Sequence, residues 1–121
     1  MDNLITMAES VREASRKLAL ENSDKKNAAL AAMADALIAR KDYILEANAR
    51  DIERGRSNGM SEALLDRLAL SESRVNGMAE GVRQLIALPD PVGEVIESFE
   101  RPNGLVIEKV RVPFGVIGMI Y

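Results

Sequence analysis

Through the first 88 residues, apolar positions recur every three or four residues, the period of a helix that buries one face. Leu4, Met7, Ala8, Val11, Ala14 and Leu18 make one such stripe, with Glu9, Arg12, Glu13 and Arg16 mostly outside it. A second helix is predicted to start after Ser23, whose hydroxyl can cap free N–H groups while Asp24 matches the positive helix end. Its stripe runs through Leu30, Met33 and Leu37 and on to Ile44, Asn48 and Ile52, with room for a kink or short break near Arg40–Lys41. Asn58-Gly59 closes it, because both residues tolerate the left-handed conformation of a helix C-cap. A short helix from Ser61 to about Leu68 and a longer one from Ser71 to about Ala87 follow. The latter has Val75, Met78, Ala79, Val82, Leu85 and Ile86 on one face.

The pattern changes at Pro89. All sixteen alanines precede it, whereas all four prolines and six of the nine valines lie in residues 89–121. Alanine and leucine favour helix, and valine favours strand, so a helical segment gives way to a β segment. Glu94–Phe99 and Leu105–Val112 flank Arg101-Pro102-Asn103-Gly104, whose proline and glycine suit a tight turn. A β-hairpin is predicted there. Its strands mix charges with aliphatic residues, as in a ribbon that is partly exposed or meets another chain. The last ten residues, 112–121, carry no charge and resemble a strand buried on both faces of a parallel sheet. A run of that length is about half of what a bilayer-spanning helix needs. A natural domain seldom stops inside a buried strand, so the sequence reads as an N-terminal fragment.

Composition narrows the chemistry. With 47% hydrophobic and 29% charged residues, the 121-residue chain has the make-up of a soluble globular domain. It contains no Cys and no His, which excludes a disulfide, a cysteine nucleophile, a histidine base and the usual zinc and copper sites. A net charge of −3 gives no electrostatic footprint for nucleic acid or an anionic membrane. Met1-Asp2 followed by spaced apolar residues does not make a signal peptide, and a cytoplasmic location is expected. The six methionines and the helix stripes are expected to pack in a core, and the charged faces to be solvated. Ser57, Ser61 and Ser71 are accounted for by helix capping, and Glu94/Glu97 and Glu9/Glu13 by solvated surface. Gly115 and Gly118 form a G-x-x-G that either lets a neighbouring element approach or meets a cofactor. The residues alone assign no catalytic group and no metal ligand.

Leu45-Glu46-Ala47-Asn48-Ala49-Arg50-Asp51 and Asp66-Arg67-Leu68-Ala69-Leu70 resemble the N-terminal region of the γ-glutamyl phosphate reductases. So do Asp90-Pro91-Val92-Gly93, Asn103-Gly104-Leu105 and the run from Arg111 through Val112-Pro113-Phe114-Gly115 to Tyr121. These enzymes, also called glutamate-5-semialdehyde dehydrogenases, belong to the aldehyde dehydrogenase superfamily. The resemblance implies an α/β fold overall, of which this fragment is mainly α-helical, with a C-terminal β-hairpin and the first strand of a nucleotide-binding sheet. Residues 1–93 would form the helical part of the cofactor-binding domain, 94–112 the hairpin of the oligomerisation region, and 113–121 the truncated start of the sheet.

It further implies an oxidoreductase of proline biosynthesis that uses NADPH to reduce L-glutamyl 5-phosphate, a small-molecule substrate, to L-glutamate 5-semialdehyde. The reaction needs a cysteine thiolate to expel phosphate and form a thioester that hydride then reduces. No cysteine lies in this sequence, so the fragment is expected to be inactive by itself. Ile120 and Tyr121 match positions that touch the dinucleotide in relatives, and they are the two candidate cofactor-binding residues. The full-length protein is expected to be a homo-oligomer through residues 94–112. Two other readings are another aldehyde dehydrogenase-like enzyme, such as an acyl-CoA reductase, and a non-enzymatic helical assembly module.

Overall fold

A computed structural model describes residues 2–120, and Met1 and Tyr121 lie outside the described residues. In sequence order the elements are α1 (Asp2–Leu18), α2 (Ser23–Ala39), α3 (Lys41–Ser57), α4 (Glu62–Leu68), α5 (Glu72–Ile86), β1 (Val95–Glu100) and β2 (Val106–Val110). Two compact units make up the protein. One comprises residues 26–88, and the other residues 1–25 together with 89–121.

In the first unit α3 packs on both α4 and α5. The buried apolar side chains among the described residues are Ala34, Leu65, Val75 and Ala79, all in this unit. Two are alanines, and a buried glycine, Gly55, lies in α3. Small residues at these points let the backbones come close. A Cβ on Gly55 would lie 3.2 Å from Leu65 Cδ2 and 3.3 Å from Met60 Sδ, so α4 sits against a helix surface that has no side chain there. The end of α3 is built to bring Met60 to this spot. The Gly59 N–H donates to Arg56 O and the Met60 N–H to Gly55 O, with Gly59 at φ 77°, which is the Schellman arrangement. Asn58 itself keeps a negative φ of −88°, so the glycine alone takes the left-handed role.

The predicted break at Arg40 is present. Arg40 has φ −105° and ψ 17°, and the ladder still passes through it, from the Arg40 N–H to Ala36 O and from the Ile44 N–H to Arg40 O. Polar side chains then hold the loops. Asn48 Nδ2 donates to Leu68 O at 2.9 Å while Asn48 Oδ1 accepts from the Leu70 N–H at 2.8 Å. The one amide thus satisfies a carbonyl and an N–H of the part-buried α4–α5 connection. The Arg74 guanidinium donates to Asp66 O at 2.6 Å and also to Ala69 O, closing carbonyls that the end of α4 leaves without helical partners. Ser71 is the N-cap of α5, its hydroxyl accepting from the Arg74 N–H, whereas Ser61 caps α4 through its carbonyl rather than its side chain.

In the second unit the start of α2 differs from the sequence expectation. Ser23 is already helical, and the cap is Asn22, whose Oδ1 accepts from the Lys25 N–H at 2.9 Å. The Ser23 hydroxyl instead donates to Asp90 Oδ2 at 2.9 Å, while Asp90 Oδ1 accepts from the Val92 N–H. Both Asn and Ser are good caps, so local sequence did not decide between them. The hairpin forms as predicted, with an antiparallel register that pairs Val95 with Val110, Phe99 with Ile107 and Glu100 with Val106. A bulge falls between Val95 and Glu97. The turn is closed by the Arg101 N–H to Leu105 O at 2.8 Å and the Gly104 N–H to Arg101 O at 2.9 Å. Gly104 takes φ 82° there, and the Leu105 N–H donates to Asn103 Oδ1.

Two stretches are less covered, among the described residues, than their sequence pattern suggests. The stripe of α1 is exposed, with Leu4 at 72% and Met7 at 55% accessible, and Met33, Met60, Met78 and Met119 are exposed too. A core role for the described methionines is therefore not realised within these residues. Residues 113–120 have no strand pairing, and Phe114 is almost wholly exposed. A strand is defined by a neighbour that takes its N–H and C=O groups, and among the described residues none lies beside this run.

These contacts give two expectations for the protein in urea, followed by its helical circular dichroism. Gly55→Val drives a branched side chain into Leu65 and is expected to destabilise the fold by about 1–3 kcal/mol; an unchanged midpoint would contradict the close approach. Asn48→Ala leaves the Leu68 carbonyl and the Leu70 N–H without their partner and is expected to cost about 1–3 kcal/mol. Hydrogen exchange of the Leu70 amide should speed up accordingly, and an unaltered rate there would show that the amide bridge is not what holds the loop.

Candidate functional site

The residues singled out for a cofactor, Ile120 and Tyr121, end the uncharged run. Ile120 is fully exposed, and Tyr121 lies outside the described residues. Upstream, the run leaves the hairpin through a clasp of backbone and side-chain bonds. The Arg111 N–H donates to Glu94 O and the Gly93 N–H to Arg111 O, both at 2.9 Å. The Arg111 guanidinium also meets the Glu94 carboxylate at 2.6 Å. This pair is about half exposed, so its value lies in orientation more than in stability. It gives Glu94 a structural partner in Arg111.

Beside the clasp is a recess of about 330 Å³ lined by Pro91, Val92, Arg111, Val112, Pro113 and Phe114. In the other unit a second, shallower recess of about 410 Å³ lies along the bend at Arg40, between Met33, Leu37, Tyr43 and Ile44. Both are apolar surfaces with a single guanidinium each, and the other polar side chain lining them is the Tyr43 phenol. Among the described residues no group of three or more His, Cys, Asp or Glu could hold a metal ion, and no helix is long and apolar enough to cross a membrane.

Gly115 takes φ 89°, which an L side chain rarely adopts, and nothing lies within 4 Å of where a Cβ would sit on Gly115 or Gly118. The G-x-x-G thus supplies one backbone bend and open space, with no described element packed on it. The polar residues that do the most structural work, Asn48 and Arg74, were not marked for that role by sequence pattern. Asn48 carried a signal, being an amide on an otherwise apolar stripe. Arg74 carried none.

No family model matches the sequence. Individual relatives do. It is 51% identical over all 121 residues to the γ-glutamyl phosphate reductase of Anoxybacillus flavithermus, and 52% identical over the same span to that of Bacillus mycoides. In each case the 121 residues span 29% of the relative's length. The crystal structure of γ-glutamyl phosphate reductase from Thermotoga maritima superposes with a TM-score of 0.88 at 44% identity, covering 91% of this protein and 27% of that one. The enzyme from Saccharomyces cerevisiae gives 0.84 at 30% identity, covering 89% and 28%. In sequence over its whole length, and in fold over about nine tenths of it, the protein is homologous to γ-glutamyl phosphate reductase and matches the N-terminal 29% of it.

Proposed function

We propose that these 121 residues are the N-terminal part of an NADPH-dependent γ-glutamyl phosphate reductase of proline biosynthesis. The observation that carries the reading is identity of about one half in matches that take in all 121 residues. The reaction consumes L-glutamyl 5-phosphate, NADPH and a proton, and yields L-glutamate 5-semialdehyde, NADP⁺ and phosphate. It passes through acyl transfer to a thiolate. No cysteine is present among the 121 residues, so acyl transfer and oxyanion stabilisation are assigned to other residues of the whole protein.

In this reading residues 1–93 belong to the cofactor-binding domain, 94–112 to the oligomer contact, and 113–121 to the start of the nucleotide-binding sheet. Ile120 and Tyr121 contact the dinucleotide. The exposed side chain of Ile120 suits the face of a flat ring. No cationic side chain lies between Val112 and Tyr121, so a phosphate contact from this run would come from backbone N–H groups. The small molecule is the partner, the compartment is the cytoplasm, and neither nucleic acid nor membrane is engaged.

The hairpin suits assembly because both strands are exposed along their whole length and offer free edges.

The full-length protein should oxidise glutamate 5-semialdehyde when given phosphate and NADP⁺, and the present 121 residues should show neither turnover nor saturable NADPH binding. Turnover with coenzyme A and none with phosphate would instead mark an acyl-CoA reductase. In the full-length enzyme, Ile107→Pro removes a strand donor opposite Phe99 and should shift light scattering toward smaller species. An unchanged mass with normal folding would remove the hairpin from the assembly.

A further inference from the structure

Three Asn-Gly dipeptides occur in the sequence, Asn58-Gly59, Asn76-Gly77 and Asn103-Gly104. All six residues are exposed, so access to water does not distinguish them. Their backbones do. Asn76-Gly77 lies inside α5, where each N–H is held in the helical ladder. Asn58-Gly59 is the Schellman end of α3, with the N–H groups of Asn58, Gly59 and Met60 donating to Arg54, Arg56 and Gly55. That end is anchored where α3 meets the buried Leu65. Asn103-Gly104 is the tip of a two-stranded ribbon with no buried residue in either strand.

This difference matters for one reaction. A backbone nitrogen that follows asparagine can attack the carboxamide carbon, Cγ. The bond from the backbone nitrogen to Cγ forms, the bond from Cγ to Nδ2 breaks, and ammonia leaves, closing a five-membered succinimide. Water then opens the ring at either carbonyl, giving aspartate or a β-aspartyl link. Glycine in the second place offers the least hindrance, but the attacking nitrogen must first leave its hydrogen bond and the backbone must rotate. We propose that Asn103 is the site of this spontaneous deamidation in the folded protein, ahead of Asn58 and Asn76.

The Gly104 N–H is tied only to Arg101 O, across a turn that the Arg101 N–H to Leu105 O bond closes. An isolated two-stranded hairpin is marginal in water, so these bonds open with local fraying of the ribbon. Freeing the Gly59 or Gly77 nitrogen requires undoing a helix end or interior. The Leu105 N–H also donates to Asn103 Oδ1, which polarises the amide toward attack at Cγ. A β-aspartyl link would add a backbone atom between Asn103 and Gly104 and a negative charge beside Arg101. Either product alters the turn that fixes the pairing of Phe99 with Ile107.

The dilute 121-residue protein is incubated at mildly alkaline pH, alone and in concentrated guanidinium chloride, and conversion at each asparagine is followed by mass spectrometry of proteolytic peptides. In the folded state Asn103 should convert at least about fivefold faster than Asn58 or Asn76, and in guanidinium the three rates should come together to within about twofold. Equal rates in the folded state, another site leading, or no conversion at Asn103 while the denatured protein reacts would each overturn the proposal. The same preference persisting in guanidinium would also overturn it, by tracing it to neighbouring side chains rather than to the fold.

Discussion

The governing constraint is that the protein has more apolar surface than its own elements can cover. A helix or a sheet buries its apolar side only against a second layer. Among the described residues that condition is met around Leu65, Val75 and Ala79, where α3 packs on α4 and α5, and at Ala34 in α2. It is not met along α1, on either face of the hairpin, or over residues 112–120. Where two layers meet, small residues set the spacing, and Gly55 is the clearest case. Where they do not, the backbone keeps its shape through local hydrogen bonds, as in the turn at Arg101–Leu105 and the clasp between Glu94 and Arg111.

The loops follow a related rule. A connection between packed helices carries N–H and C=O groups that water reaches poorly, and each needs a partner. Asn48 meets this need for Leu68 and Leu70 with one amide, and Arg74 meets it for Asp66 and Ala69 with one guanidinium. These side chains work by geometry more than by charge. The surface ion pairs, such as Arg50 with Glu46 and Arg83 with Asp35, are exposed and contribute little apiece.

Much of the local structure was legible in the sequence. Helix periodicity located the helical stretches, including the break at Arg40, and the Pro-Asn-Gly turn located the hairpin. These features depend on residues close in sequence. The exceptions share a cause. Asn22 caps α2 in place of Ser23 because Ser23 is drawn to Asp90, sixty-seven residues away. Residues 113–120 were read as a buried strand, yet pairing depends on a neighbour, which composition cannot supply. The apolar stripes were correctly placed on helix faces, but whether a face is covered is a property of the whole assembly of elements. For the same reason Ile120 could be singled out only by family resemblance, since no local pattern separates a side chain awaiting a cofactor from one awaiting a core.

The exposed run and the hairpin bear on function through that same property. The similarity to the reductases is measured over all 121 residues, at about one half identity, and those residues span 29% of the relatives. An apolar side chain that faced only water would gain nothing from being apolar. Large contiguous apolar surfaces normally mark contacts. In the proposed enzyme the faces left open here, at α1, at the ribbon and after Val112, are where other parts of the protein, a second subunit or the dinucleotide would lie. The helical unit of residues 26–88 differs, because it holds the buried side chains among the described residues and its loops are tied by Asn48 and Arg74.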